Sequence, residues 1–79
     1  MKAYAKLRGR MRELDITGEA LALYLGRSKS YVSRRLVKKE SWDIDDVYKI
    51  LDHLDLPLSE IYTYFPPNGG VENKRRNKA

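Results

Sequence analysis

Apolar residues recur along this chain at helical spacing, in short runs that turn residues separate. The clearest runs are Leu21, Ala22 and Leu25, then Val32 and Leu36. Each run lies on one helix face, because positions three or four apart in sequence are neighbours on a helix. Gly26 lies between the runs, and glycine ends a helix in the left-handed conformation without steric cost. The stretch 17–36 is therefore predicted to form two short helices joined by a tight turn.

Both helices of this stretch have a residue that can cap the first turn. Thr17 precedes the first helix and Ser28 precedes the second, and hydroxyl oxygens at such positions accept hydrogen bonds from unpaired backbone amides. The second helix carries polar and cationic side chains away from its apolar stripe, namely Lys29, Ser30, Ser33, Arg34 and Arg35. A short helix with cations and hydroxyls along one face suits the major groove of DNA.

The same periodicity predicts three more helices. Their apolar positions are Tyr4, Leu7, Met11 and Leu14; Ile44, Val47, Ile50, Leu51 and Leu54; and Leu58, Ile61, Tyr62 and Phe65. Asp43 is the predicted N-cap of the middle one, and Trp42 is predicted to pack on Val47 as a hydrophobic staple. The chain is thus predicted to be all-α, with five short helices in one domain over residues 1–65.

Charge is distributed unevenly along the chain. Residues 1–39 contain eleven Lys or Arg against three acids, a net charge of +8, whereas residues 40–73 contain one Lys against eight acids, a net charge of −7. Clustered cations bind a phosphate backbone by releasing its counterions, so this separation favours an anionic partner for the first half. Residues 66–79 are predicted to be a disordered basic tail, which either adds affinity for DNA or only improves solubility.

The stretch 17–36 resembles the helix-turn-helix of the bacteriophage Cro and repressor (XRE-like) family. The matching residues are Ala22 where the helices cross, Gly26 in the turn, and Val32 with Ser33 in the second helix. The resemblance extends over about residues 7–65 and implies a lambda-repressor-like fold. The chain departs from the family pattern at Gly18, where glutamine is usual, and at Arg27, where a small aliphatic residue usually fills the turn.

The resemblance implies that the second helix, 28–36, reads DNA bases in the major groove. The implied base-reading residues are Lys29, Ser30, Ser33 and Arg34, with Arg34 the strongest candidate for a bidentate contact to guanine. Contacts to DNA phosphates are predicted for Thr17, Ser28, Tyr31, Arg35, Lys38, Lys39 and Arg10. For Tyr31 two roles stay open, since its hydroxyl either reaches a phosphate or its ring covers the flank of the helix.

We expect a transcription regulator that binds a double-stranded DNA operator, as a homodimer on DNA if it follows the family. The alternative is an adaptor or antitoxin-like module that keeps the fold without reading DNA sequence, for which the expected exposure of Leu23 and Tyr24 and the departure at Gly18 are the motivation. RNA or single-stranded DNA binding is less favoured, because the basic face lacks interleaved aromatic residues.

Other classes of protein are not expected. The chain has no nucleophile motif, no glycine-rich phosphate loop, no cysteine and a single histidine, so we predict no enzyme activity, cofactor, metal site or small-molecule substrate. No apolar run approaches the about 18 residues of a membrane span, and no secretory segment follows the N-terminus. We therefore expect a soluble, cytoplasmic protein.

Overall fold

A computed structural model describes residues 2–71, and in these residues the chain forms five α-helices and no strand, which confirms the predicted all-α class. The helices are α1 Ala5–Glu13, α2 Gly18–Leu25, α3 Lys29–Leu36, α4 Ile44–His53 and α5 Ile61–Tyr64. Short 3-10 segments occupy Leu58–Glu60 and Pro67–Gly70. Within residues 2–71, none of the helices combines the length and apolar character needed to span a membrane.

The helix-turn-helix forms as its capping residues predict. Thr17 Oγ1 accepts a hydrogen bond from the Ala20 amide at 3.0 Å, and Ser28 Oγ accepts one from the Tyr31 amide at 3.1 Å. Gly26 has φ 71°, a left-handed conformation that a side chain would strain. Ala22 is buried, and α2 packs against α3.

The core draws on all four longer helices, and most of its predicted members are buried. Two predicted core positions in these four helices are wrong. Leu14 is largely exposed because α1 ends one residue before it, and Ile44 is exposed because it is the first residue of α4. The buried apolar residues are Tyr4, Leu7, Met11, Leu21, Ala22, Leu25, Val32, Leu36, Val47, Ile50, Leu51 and Leu54.

The last segment packs differently from its predicted face. Leu58 and Tyr62 are exposed, whereas Tyr64 and Phe65 pack against the core. The segment begins as a 3-10 helix, which has three residues per turn, so an α-helical spacing does not give its buried side.

Three aromatic rings join the two ends of the described chain. Trp42 lies edge-on to Tyr4, with centroids 6.4 Å apart, and edge-on to Phe65, at 5.7 Å. These ring contacts hold Trp42 as a structural residue. The Tyr4 amide also donates to the Gly69 carbonyl at 2.8 Å, and Gly69 is buried. The fold therefore continues past the boundary predicted at residue 65 as far as Val71; the rest of the predicted tail, 72–79, lies outside the described residues.

Candidate nucleic-acid interface

The polar side of α3 faces solvent. Lys29, Ser30, Ser33 and Arg34, the four predicted base-reading residues, are all exposed, and we call them the outward face. The opposite side of the helix holds Val32 and Leu36 in the core. The arrangement follows from the sequence spacing, because the apolar pair fixes which side of α3 turns inward.

An open groove of about 500 Å³ runs beside the outward face. Lys29 and Ser33 line it from α3, Thr17 and Gly18 from the start of α2, and Arg8 from α1. A Cβ on Gly18 would lie 4.0 Å from Val32 Cγ1, an ordinary contact, so the groove has room for a side chain that this sequence lacks.

Arg8 is the groove residue that the sequence did not single out. Its Nε donates to the Ala3 carbonyl at 3.0 Å, and its second guanidinium nitrogen donates to the Leu36 carbonyl at 3.1 Å, at the C-terminal end of α3. Carbonyls at a helix end carry partial negative charge, which favours a cation there. The cluster of cations in α1 was the available signal, but it does not distinguish Arg8 from its neighbours.

Arg10, for which a phosphate contact was predicted, is used inside the fold. Its Nε donates to the Leu54 carbonyl at 3.1 Å, and its Nη1 pairs with Glu13 at 3.2 Å. Arg8 and Arg10 point in different directions because residues two apart lie on different sides of a helix. Arg10 therefore joins α1 to the end of α4, and the structure lends no support to a phosphate contact by it.

The side of α3 next to α4 carries a hydrogen-bonded ion network. The Tyr31 hydroxyl donates to Asp46 Oδ2 at 2.5 Å, and Asp46 is 1% exposed. Arg27 places a guanidinium nitrogen 3.4 Å from the same carboxylate and 3.8 Å from Asp43. The hydrogen bond to Asp46, together with burial, raises the pKa of the Tyr31 phenol. Of the two roles considered for Tyr31, the structure supports the flank contact, since its hydroxyl proton is already donated.

Arg27 has a defined structural function at its unusual position. Where the family that the motif resembles carries a small aliphatic residue, this guanidinium links the turn after α2 to the N-terminal end of α4 through Asp46 and Asp43. Its guanidinium carbon also lies 4.6 Å from the centroid of the Tyr31 ring. Such cation–π contacts contribute about 0.5–2 kcal/mol, depending on exposure.

Arg35 also lies on the side of α3 next to α4. Its guanidinium carbon lies 3.5 Å from the centroid of the Tyr31 ring, and its Nη1 donates to the Tyr31 carbonyl at 3.0 Å. Its other terminal nitrogen pairs with Glu40 Oε1 at 3.0 Å, and its side chain is only 14% exposed. The predicted phosphate contact would require Arg35 to give up these partners, so the structure favours a packing role.

Glu40 pairs with both consecutive arginines of α3. Arg34 Nε lies 3.1 Å from Glu40 Oε2, and in this pair the side chains are 45% and 44% exposed. Charge counting along the sequence placed Glu40 in the acidic half, 40–73, apart from the basic first half. In the folded chain it lies against that helix and offsets part of its charge.

The other predicted phosphate contacts are exposed. Thr17 and Ser28 keep their exposed positions while capping α2 and α3, and Lys38 and Lys39 follow α3 on the surface. The stem of Lys38 lies over Gly69, where an added Cβ would come within 3.1 Å of Lys38 Cγ. These four residues thus stay available for phosphate contacts.

The outer surface of α2 is partly covered. Leu23 is 83% exposed, but the Tyr24 ring stacks on His53 with centroids 3.8 Å apart and planes at 11°. His53 thereby joins α4 to α2. Over residues 2–71, no group of three or more His, Cys, Asp or Glu side chains is arranged to hold a metal ion.

Comparison with known proteins places this fold beside a phage protein. The solution structure of the modulator of repression (MOR) of the temperate bacteriophage TP901-1 from Lactococcus lactis has a TM-score of 0.72 to this chain and shares 30% sequence identity. The match covers 85% of this chain and 90% of that one. No curated protein matches the chain. Residues 2–67 match the family described as "Protein of unknown function (DUF739)", and the chain therefore belongs to that family.

Proposed function

We propose that this chain is a phage-type transcription regulator of the Cro/repressor helix-turn-helix kind, which binds double-stranded DNA with α3 in the major groove. The observation that carries the proposal is the outward face, where Lys29, Ser30, Ser33 and Arg34 are exposed on one helix beside a groove that Arg8 also lines. The similarity to a phage protein named a modulator of repression supports a role in controlling repression.

The pairing of Arg34 with Glu40 is compatible with base reading. Both side chains are nearly half exposed, and exposed ion pairs contribute about 0–1 kcal/mol. A bidentate contact to guanine is worth about 1–3 kcal/mol of discrimination. Arg34 can therefore leave Glu40 for a guanine at a net gain.

The remaining exposed groups would position the helix on the duplex. Thr17, Ser28, Lys38 and Lys39 surround the outward face and suit phosphate contacts, which set orientation without reading sequence. Arg8 joins this set from the far side of the groove. The protein would act inside the cell by occupying an operator, as a binding protein and without catalysis.

A single module of this size makes few base contacts, so we propose that it binds as a homodimer on two half-sites. In this class of protein the half-sites are centred about 10 bp apart, one helical turn of DNA.

A second candidate function is docking on another regulator without reading sequence. It is favoured by Leu23, a large apolar side chain that is 83% exposed, and by the partial neutralisation of α3 by Glu40. Contiguous exposed apolar surface marks many protein contacts, whereas a single exposed leucine is common. We therefore place this candidate second.

Selection from a random pool of double-stranded DNA at about 150 mM salt, followed by sequencing, distinguishes the two functions. The proposal predicts an enriched motif, with inverted half-sites about 10 bp apart if the protein binds as a dimer. Weak binding that enriches no sequence and disappears as salt rises would contradict it and favour the adaptor.

Substitution of Arg34 tests the assignment of the base-reading residue. Arg34→Ala is expected to weaken operator binding by about 1–3 kcal/mol and to relax selectivity at one base position. Lys49→Ala is the matched control, because Lys49 is an exposed cation on α4, away from the outward face. Equal affinity and selectivity for wild type and the Arg34 variant would remove the assignment.

A further inference from the structure

The loop after α3 returns the acidic residue Glu40 to that helix. Lys38 has φ 70°, a left-handed conformation at a position where glycine is usual. The Lys39 amide donates to the Arg34 carbonyl at 2.8 Å and the Lys38 amide to the Arg35 carbonyl at 3.2 Å. This pair of hydrogen bonds is the Schellman pattern, which reverses the chain at a helix end. Two residues later, the reversed chain presents the Glu40 carboxylate to the arginines.

The two arginines use different oxygens of that carboxylate. Arg35 binds Oε1 at 3.0 Å and is held by Tyr31 as well, whereas Arg34 binds Oε2 at 3.1 Å and makes no second side-chain contact of this kind within residues 2–71. Arg35 therefore keeps Glu40 in place when Arg34 leaves. Glu40 is a fixed anion at the edge of the proposed DNA interface.

We propose that Glu40 competes with DNA for Arg34, so that Arg34 is withheld from backbone phosphates and leaves Glu40 only for a guanine, an inference that rests on the proposed function. A carboxylate and a phosphate oxygen accept the same charge-assisted hydrogen bonds from a guanidinium. Exchanging Glu40 for a backbone phosphate therefore gains little, and it brings the freed carboxylate near another anion. Only a bidentate contact to guanine exceeds what Arg34 loses. On unrelated DNA Arg34 therefore stays with Glu40, whereas on the operator it leaves, and the operator complex bears the full cost of the broken pair.

The test measures affinity for operator and for unrelated DNA in wild type, Glu40→Gln and Glu13→Gln. Glutamine keeps the size of residue 40 but removes its charge. Glu13→Gln is the matched control, since it makes the same change in net charge and also breaks an exposed pair with an arginine. We expect Glu40→Gln to tighten binding to both DNAs by about two- to fivefold, to the operator at least as much as to unrelated DNA, and to steepen the salt dependence for unrelated DNA by about one ion. Glu13→Gln should change both affinities less.

The outcomes separate this inference from the proposed function. Equal changes in Glu40→Gln and Glu13→Gln, while Arg34→Ala still weakens operator binding in the wild-type background, would overturn the inference alone. If neither Lys29→Ala nor Arg34→Ala weakened operator binding, the proposed function would be overturned and, with it, the inference. Under the inference, Arg34→Ala costs more affinity for unrelated DNA in the Glu40→Gln background than in wild type.

A measurement on wild-type protein keeps the inference testable if Glu40→Gln folds poorly. The side-chain Nε–H resonances of Arg34 and Arg35 can be followed by NMR during titration with unrelated DNA and then with operator. We expect the Arg34 resonance to shift with operator and much less with unrelated DNA, while the Arg35 resonance stays close to its free position. Equal shifts of Arg34 with both DNAs would contradict the competition.

Discussion

The outward face of α3 and its inner flank, which we define as Tyr31 and Arg35, are both polar but differ in what holds them. Side chains of the outward face point to solvent, and only Arg34 among them has an acidic partner in the described chain. On the inner flank, the Tyr31 hydroxyl is bonded to a buried carboxylate, and Arg35 is stacked, hydrogen-bonded and paired. Of polar residues one position apart on a short helix, some thus hold the fold together, whereas the others are exposed and free for the proposed binding.

The contrast shows that a count of cations overestimates the charge available to DNA. Three cations of the motif and its turn, Arg27, Arg34 and Arg35, are paired with acids from the second half of the chain. The uncommitted cations near α3 are Lys29, Lys39 and the exposed end of Lys38, again within residues 2–71. Affinity for DNA should therefore be more modest than a charge of +8 suggests, and more dependent on a few residues.

The largest effect on stability is expected from Arg27→Met, which changes the ion network between α3 and α4. The substitution removes the cation from a carboxylate that is 1% exposed, and a buried charge without its partner is costly. Breaking a fully buried pair costs about 3–5 kcal/mol; because Arg27 is itself partly exposed, we expect a loss of about 2 kcal/mol in the free energy of unfolding. Urea denaturation measures it.

Arg12→Met is the control for that experiment, since Arg12 is an exposed α1 cation without an ion pair in the described chain. It should change stability by less than about 0.5 kcal/mol. Similar losses for the two variants would show that Arg27 contributes no more than a surface cation. The ion network would then not stabilise the turn after α2.

An intermediate effect is expected from Tyr31→Phe, which keeps the ring but removes its hydroxyl. A hydrogen bond to a charged group contributes about 1.5–3 kcal/mol, and the ring contacts with Arg35 and Arg27 remain. We expect a loss of about 1–2 kcal/mol at neutral pH, with DNA affinity of the folded protein unchanged. A clear loss of DNA affinity without loss of stability would return Tyr31 to the phosphate-contacting set.

The stability difference between wild type and Tyr31→Phe should depend on pH. The pKa of Tyr31 is raised above its ordinary value, first by the hydrogen bond to Asp46, so the folded state favours the neutral phenol. That contribution is fully present below the unfolded pKa of about 10 and is lost as pH rises through the folded pKa. The stability gap between wild type and Tyr31→Phe should therefore be constant between about pH 7 and pH 10 and shrink above about pH 10. Tyr4, whose pKa is raised by burial, is present in both proteins and leaves the gap unaffected.

Much of the fold follows from local patterns in the sequence. Apolar spacing and capping side chains predict α2, α3 and α4, because those signals act within one or two turns. The outward face follows from the same spacing, since Val32 and Leu36 determine which side of α3 faces the core. The terminal segment is less predictable, because its 3-10 start changes the period of its buried positions.

The inner network depends on contacts between residues distant in sequence, and the sequence pattern does not indicate it. Asp46 lies in a first helical turn, where an acid is expected for the helix dipole alone, yet its carboxylate accepts from Tyr31, fifteen positions earlier. The return of Glu40 to α3 depends on a left-handed lysine, a conformation that sequence patterns rarely signal. Prediction from sequence therefore places the cations correctly on the helices and misses their partners.

The smallest effect on stability is expected from Ser33→Ala on the outward face. Ser33 is exposed and its hydroxyl has no hydrogen-bond partner within the part of the chain described. Alanine is the better helix former by about 0.5 kcal/mol, so the variant should be as stable as wild type or slightly more stable. Operator selectivity should nevertheless fall about two- to threefold, as expected if one hydroxyl contact to a base edge is lost. Thermal unfolding and competition binding with operator variants measure the two quantities on one sample. A destabilised variant with intact selectivity would assign Ser33 to folding. The distinction between the outward face and the inner flank would then not hold for Ser33.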